Sequence, residues 1–282
     1  MTTYAYRLLN VFALDGQVLS GNPLCVFEDA RGLDTQTMQA LALQFNLSET
    51  TFILPSDVAT AQVRIFTPEF EMPFAGHPTL GTAHVVRNLY NTNDAITLQM
   101  QAGNIPVTAQ NNLWTLQANA PTTRSVAASV EQLARMLDLQ AQDMGAPPLW
   151  VNTGSDQLIV PLTSVAAVQR CQPQLELLKQ YACINAQRCL VYVWAHHDAE
   201  NIESRFFFAK GGSLAEDPAT GSACANLGGW FIATHTALPL RKLIHQGAMV
   251  QRPSELKLHV DVQRRIHVSG RVVELGRGVI EL

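Results

Sequence analysis

The chain has 282 residues, 47% hydrophobic and 15% charged, with a formal net charge of −4. That length is about two domains, and so much apolar content excludes a disordered chain. The mildly acidic balance, with no Lys/Arg-rich run, gives no electrostatic footprint for nucleic acid.

The first half reads as β-rich. Segments 4–14, 23–27, 51–54 and 62–67 carry the β-branched and aromatic content of strands. Residues 35–45 place Met38, Leu41 and Phe45 at helical spacing. Residues 77–90 form a second predicted helix, with Pro78 suited to its first turn. Segments 95–100, 105–109 and 113–117 read as a meander of short strands. Pro and Thr cluster at 120–125 and the periodicity lapses there, which marks a boundary. Beyond it come a helix at 129–137, strands at 157–161, 189–195 and 204–209, an apolar helix at 222–234, and short strands to the C-terminus.

The N-terminus lacks a basic region followed by a long apolar stretch, so no secretory signal is expected. The longest run free of Asp, Glu, Lys and Arg, 218–240, carries Pro, Asn, His and Gly and reads as a buried helix, not a membrane span. The cysteines are Cys25, Cys171, Cys183, Cys189 and Cys224. They are odd in number and none are spaced as CxxC, which argues against a disulfide framework or a zinc site and suits a cytoplasmic protein.

The two halves look related. Arg64-Ile-Phe leads, 12 residues after Arg64, to Gly76-His77 and a helix. Arg205-Phe-Phe leads, 16 residues after Arg205, to Gly221-Ser222 and another. Residues 77–86 and 222–234 contain no Asp, Glu, Lys or Arg, and a helix apolar all round is buried on all sides. Two such helices, each wrapped by strands, predict two pseudo-symmetric lobes.

Gly76-His-Pro-Thr-Leu-Gly81 lacks the Lys of a phosphate loop, and there is no GxGxxG or GxSxG. His196-His197-Asp198 has no third metal ligand at useful spacing and reads as a solvated loop. What remains is Gly followed by a polar residue at the start of each apolar helix. Helix N-termini present backbone N–H groups and positive charge to anions, and Gly allows close approach. Each start alone is an ordinary cap; the matching pair points to a site. Asp217 before Pro218 is by itself a turn residue, and Glu49 between a helix and a strand is by itself a loop carboxylate.

These motifs strongly resemble the PhzF-like family of phenazine biosynthesis, whose fold is related to that of diaminopimelate epimerase. The resemblance is carried by Ser20-Gly-Asn-Pro-Leu-Cys-Val-Phe27, Asn46-Leu-Ser-Glu-Thr-Thr-Phe52, Arg64-Ile-Phe-Thr-Pro68 and Pro73-Phe-Ala-Gly-His-Pro-Thr-Leu-Gly81. It continues through Glu216-Asp-Pro-Ala-Thr-Gly-Ser-Ala223 and Gln246-Gly247 before Arg252-Pro-Ser254.

The resemblance implies an α+β fold of two pseudo-symmetric lobes, each a curved, mostly antiparallel sheet around a central apolar helix. Lobe one would span 1–120 plus 270–282 and lobe two 121–269, with an active site in the cleft between them and the last strand crossing back to the first lobe. It implies a homodimer. It also implies a cofactor-independent, metal-free isomerase that moves hydrogen within a small cyclic carboxylate, with no nucleic-acid or membrane partner. By the family pattern Glu49 is the main acid–base residue, with His77, Asp217 and Ser222 as companions. Gly76 and Gly221 would supply N–H groups to the substrate carboxylate.

Epimerase relatives use two cysteines instead; the corresponding places here are Ala75 and Thr220, neither of which carries a thiol. Two alternatives stand beside the isomerase: an epimerase or related acid–base enzyme using Glu49 and Asp217, and a non-catalytic small-acid binding protein.

Overall fold

The strands and helices of the computed structural model, which describes residues 1–185 and 188–282, fall into two units: Met1–Gln117 with Ser269–Leu282, and Ala118–Val268. In the first, β1 (Thr3–Val11) and β2 (Asn22–Phe27) pair antiparallel. Then follow α1 (Thr35–Phe45), β3 (Glu49–Leu54), β4 (Ala61–Phe66), β5 (Glu71–Met72), α2 (Gly76–Tyr90), β6 (Ala95–Met100), β7 (Gly103–Gln110) and β8 (Leu113–Gln117). Two of its ladders, β2–β3 and β4–β6, are parallel; β3–β4, β4–β5, β6–β7 and β7–β8 are antiparallel.

The central helix of this unit is α2. Residues 77–86 are all buried, and the helix packs on β1, β2, β3, β4, β6 and β8. Such burial is what a charge-free helix requires. Gly81 lets it close on the sheet, because a Cβ there would sit 2.4 Å from Leu24 Cδ2. On the other face of the strands, Phe27, Phe52 and Phe66 pack with α1, Phe27 stacking on Phe52 at 4.9 Å and Phe66 edge-on to Phe52 at 5.5 Å.

The second unit runs β9 (Thr122–Ser125), α3 (Val130–Met136), β10 (Leu149–Asn152), β11 (Asp156–Pro161), α4 (Val165–Arg170), α5 (Leu175–Tyr181), β12 (Cys183–Asn185), β13 (Arg188–His196), β14 (Asn201–Lys210), β15 (Ser213–Asp217), α6 (Gly221–Ala233), β16 (Leu240–Gln246) and β17 (Ser254–Val260). The last strand, β18 (Ile266–Glu281), begins in this unit and ends in the first, where it pairs antiparallel with β1. Here too two ladders are parallel, β11–β13 and β14–β16. Helix α6 is buried over 223–232 and packs on β9, β10, β11 and β17. The architecture is α+β, with a central apolar helix in each unit.

The boundary stretch 120–125 holds β9, which pairs with β10; its four residues are all exposed, so no apolar alternation marks them. One expectation is corrected. Cys183 and Cys189 are joined in a disulfide, because β12 and β13 form a hairpin that sets them directly opposite each other. Cys25, Cys171 and Cys224 are free and buried, as small apolar residues would be.

Candidate active site

Each central helix starts without a side-chain cap. The residues ahead of α2 and α6 are Ala75 and Thr220, and neither side chain bonds to the first turn. By contrast Asp34 caps α1, Ser129 caps α3 and Ser164 caps α4. The leading N–H groups of α2 and α6, beginning with Gly76 and Gly221, thus lack the side-chain acceptor that normally satisfies them. An uncapped end of a long helix favours an anion.

In the first unit, α1 ends at Asn46, whose left-handed backbone (φ 51°) turns the chain into β3. The first residue of β3 is Glu49, in parallel register with Leu24. Its carboxylate Oε2 lies 3.4 Å from His77 Nε2, both side chains being well buried at 15% and 7% exposure. Burial pushes the His77 imidazole down to about 3, opposed only in part by the ring's hydrogen bond to the carbonyl of Pro23. The ring is therefore neutral at physiological pH. With its own hydrogen spent on Pro23, the nitrogen that faces Glu49 is an acceptor.

The second unit holds Asp217 at the end of β15 and Ser222 in the first turn of α6. Ser222 is fixed by a chain of hydrogen bonds that begins at a backbone amide. Thr153 donates its N–H to Asn226 Oδ1 (2.9 Å), Asn226 Nδ2 donates to Gln157 Oε1 (2.7 Å), and Gln157 Nε2 donates to Ser222 Oγ (2.9 Å). A backbone N–H can only donate, so every amide in the chain has one orientation. The Ser222 oxygen accepts from Gln157, which leaves its hydrogen to point elsewhere. Asn226 and Gln157 are buried and were not singled out in the sequence. The signal was an Asn inside an otherwise apolar helix.

Asp217 is tied in as well. Thr220 Oγ1 donates to Asp217 Oδ2, and Gln246 Nε2 donates to the Asp217 carbonyl at 2.8 Å. Thr220 and Gln246 are further residues that sequence reasoning did not assign. The His196–Asp198 segment is a turn: Asp198 Oδ1 accepts the N–H groups of Glu200 and Asn201, and His196 packs edge-on to Trp194. Among the described residues no group of His, Cys, Asp and Glu is arranged to hold a metal ion.

The buried histidines carry a stability prediction. His84 accepts from the Trp114 indole at Nδ1 (3.3 Å), and burial lowers it to about 4. His77 and His84 both have lower pKa values in the fold than the ordinary 6.5, so the unfolded chain takes up more protons as pH falls. The stability the neutral rings contribute is complete above pH 6.5 and is lost progressively below it, down to about 4 for His84 and about 3 for His77. The unfolding free energy from urea titrations should fall, and the midpoint with it, as the pH drops from 7 toward 5, by up to about 1.4 kcal/mol per pH unit per histidine. His84→Asn should flatten the slope. A midpoint independent of pH across this window would contradict the neutral assignment.

Comparison with known proteins adds to this geometry. The description "Phenazine biosynthesis-like protein", of the PhzC-PhzF family, matches residues 9–278. An uncharacterized isomerase of Pasteurella multocida is 40% identical over 99% of this chain and 94% of its own length. The trans-2,3-dihydro-3-hydroxyanthranilate isomerase of Pseudomonas chlororaphis is 33% identical over 98% of this chain and 99% of its own. Among solved structures, a Bacillus anthracis phenazine biosynthesis protein of the PhzF family superposes with a TM-score of 0.87 at 24% identity, covering all of both chains. A hydroxyproline epimerase from Agrobacterium vitis, at TM-score 0.67 and 9% identity over 99% of this chain and 93% of its own, shares the fold alone. A family match across nearly the whole chain, together with relatives named isomerases over their full length, makes this protein a member of the PhzC-PhzF family and an isomerase by class.

Proposed function

We propose that the protein is a cofactor-independent isomerase that moves hydrogen between carbons of a small cyclic carboxylate, with Glu49 as the acid–base group. The observation that carries this reading is Glu49 Oε2 held 3.4 Å from a buried, neutral His77 at the start of an uncapped apolar helix. Glu49 takes a proton from a ring carbon, and the electron pair of that C–H bond shifts into the conjugated system. Glu49, now protonated, delivers the same proton to another carbon, so atoms and charge balance without a further reactant. The N–H groups of Gly76 and Gly221 hold the substrate carboxylate, and the Ser222 hydroxyl donates to it. His77 accepts the Glu49 proton's hydrogen bond, and Asp217 meets the substrate's polar group. Negative charge that develops during transfer is met by two uncapped helix starts.

A two-thiol epimerase is disfavoured on specific grounds. Ala75 and Thr220 stand where the thiols would be, and burial pushes the free thiols of Cys25, Cys171 and Cys224 well up. The test is turnover in deuterated water with trans-2,3-dihydro-3-hydroxyanthranilate and a panel of cyclic amino and hydroxy acids. Isomerisation with deuterium at the carbon that receives the proton supports the reading. A well-bound acid returned unconverted and unlabelled would favour a binding protein.

A further inference from the structure

The two units share one plan, and their positions can be matched residue by residue. Arg64 stands opposite Phe52 on the neighbouring strand, and Arg205 opposite Val193. Each guanidinium gives Nε and Nη2 to the two oxygens of a glutamate, Glu71 or Glu216. Each also lies over the phenylalanine two residues on, at 5.1 Å for Phe66 and 4.6 Å for Phe207. Those phenylalanines pair with the same glutamates across their hairpins. Gly76 follows Glu71 by five residues, and Gly221 follows Glu216 by five. Met72 therefore matches Asp217, Ala75 matches Thr220, and His77 matches Ser222. On the parallel neighbour, Gln62 pairs with Gln99 and Glu203 with His245, so Met100 matches Gln246.

The first unit fills the three matched places with Met72, Ala75 and Met100. The second fills them with Asp217, Thr220 and Gln246, and joins them. The Thr220 N–H donates to Gln246 Oε1 at 3.3 Å, which orients the amide. Gln246 Nε2 then donates to the Asp217 carbonyl (2.8 Å) and to Thr220 Oγ1 (3.1 Å). With that oxygen accepting, the Thr220 hydrogen is directed at Asp217 Oδ2.

This trio is not what the fold demands, because the sister unit builds the same strand, hairpin and helix with apolar side chains. Nor is Thr220 there as a helix cap: its hydroxyl turns from the α6 N-terminus to the carboxylate. Gly247 presses the arrangement home. At φ +81°, with a Cβ that would meet the Arg252 and Pro218 oxygens at 2.3 and 2.4 Å, it seats the end of β16 against the Asp217–Thr220 turn.

We propose that Thr220 and Gln246 are positioning residues that hold Asp217 as a hydrogen-bond acceptor and keep its carboxyl ionised. A hydroxyl aimed at a carboxylate favours the charged form. The role in catalysis rests on the isomerase reading above; the effect on Asp217 does not. The charged and titratable groups on the surrounding elements are Glu216 with its partner Arg205, Glu203 and Lys210 on β14, Arg241, Lys242 and His245 on β16, Cys224 on α6, and Arg252 after Gly247. The variants below leave all of them in place.

The experiment is a carbon-13 NMR titration of protein labelled at the aspartate carboxyls, with the Asp217 signal identified by its loss in Asp217→Asn. Thr220→Val should raise the Asp217 midpoint by about one pH unit, a tenfold change in proton affinity. Thr220→Ser should restore it, and Gln246→Met, the sister unit's residue, should move it the same way by less. If Thr220→Val does not fold, Thr220→Ala, again the sister residue, takes its place. An Asp217 midpoint that is the same with and without the hydroxyl overturns the proposal. Kinetics separate this from the isomerase reading: a wild-type enzyme that turns over, beside an unmoved Asp217 in the variant, defeats the positioning role alone. A wild-type protein without turnover leaves the titration to decide.

Discussion

Glu49→Gln should lower turnover by about 10² to 10⁴, the usual scale for removing a positioned acid–base group, while the dissociation constant for a bound carboxylate changes little. The reasoning starts from geometry. Gln preserves the length of the side chain and can still sit against His77 Nε2, 3.4 Å away in the native chain. Its amide hydrogen can donate to the imidazole acceptor, so packing at the start of β3 survives. What it cannot do is take a proton from carbon. The groups proposed to hold the anion, Gly76, Gly221 and Ser222, are untouched, and the loss should fall on kcat rather than on KM. His77→Asn should give a smaller loss and a changed pH dependence, because it removes the partner of the proton and not its carrier. Measured with the same substrate, full activity in Glu49→Gln would remove that residue from the reaction. An equal loss of ligand binding would make it a binding group instead.

The sequence disclosed the central helices most clearly. Two charge-free stretches could only be buried, and both are, along 77–86 and 223–232. The Arg-x-Phe repeat also proved physical: both arginines clasp a glutamate and cover a phenylalanine. Glu49 and His77 lie 28 residues apart, and no local pattern joins them. They were legible only through resemblance, because their meeting depends on the parallel β2–β3 ladder and on where α2 begins.

Other features escaped for identifiable reasons. Helices α4 and α5 have six and seven residues, too few for a helical period to declare itself. Strand β9 is exposed throughout and exists because β10 pairs with it. The Cys183–Cys189 bond spans a hairpin that composition does not reveal. The Gln157–Asn226 pair went unassigned because no local pattern joins two amides 69 residues apart. In the sister unit the same neighbourhood is filled by Leu24 against Gly81, so the polar version is particular to this unit, where it bonds Ser222, Thr153 and the Ser155 carbonyl.

Deleting residues 270–282 should abolish cooperative folding of the protein. Those residues form most of β18, which is registered against β1 from Thr3↔Glu281 to Val11↔Val272. Without them β1 keeps β2 on one side and exposes a row of unpaired backbone groups on the other, an edge prone to aggregation. The apolar loss is concentrated: Val272 is fully buried, and Ile280 packs on the cluster containing Phe27 and Phe52. The electrostatic loss is larger in kind. Arg7 is buried, with Nε on Glu28 at 2.6 Å and Nη1 on Glu274 at 2.9 Å. Truncation strips one of its two carboxylates, and breaking a buried pair of this sort costs about 3–5 kcal/mol. That is a large share of the roughly 5–15 kcal/mol by which a domain is stable. Glu274→Gln isolates the charge from the strand: it should lower the melting temperature yet leave one cooperative transition. The chain ending at Ser269 should instead be recovered insoluble, or soluble without a sharp melt in circular dichroism. A soluble, cooperatively melting truncation would mean that the first unit closes without its C-terminal strand, and β1 would then need another partner along that edge.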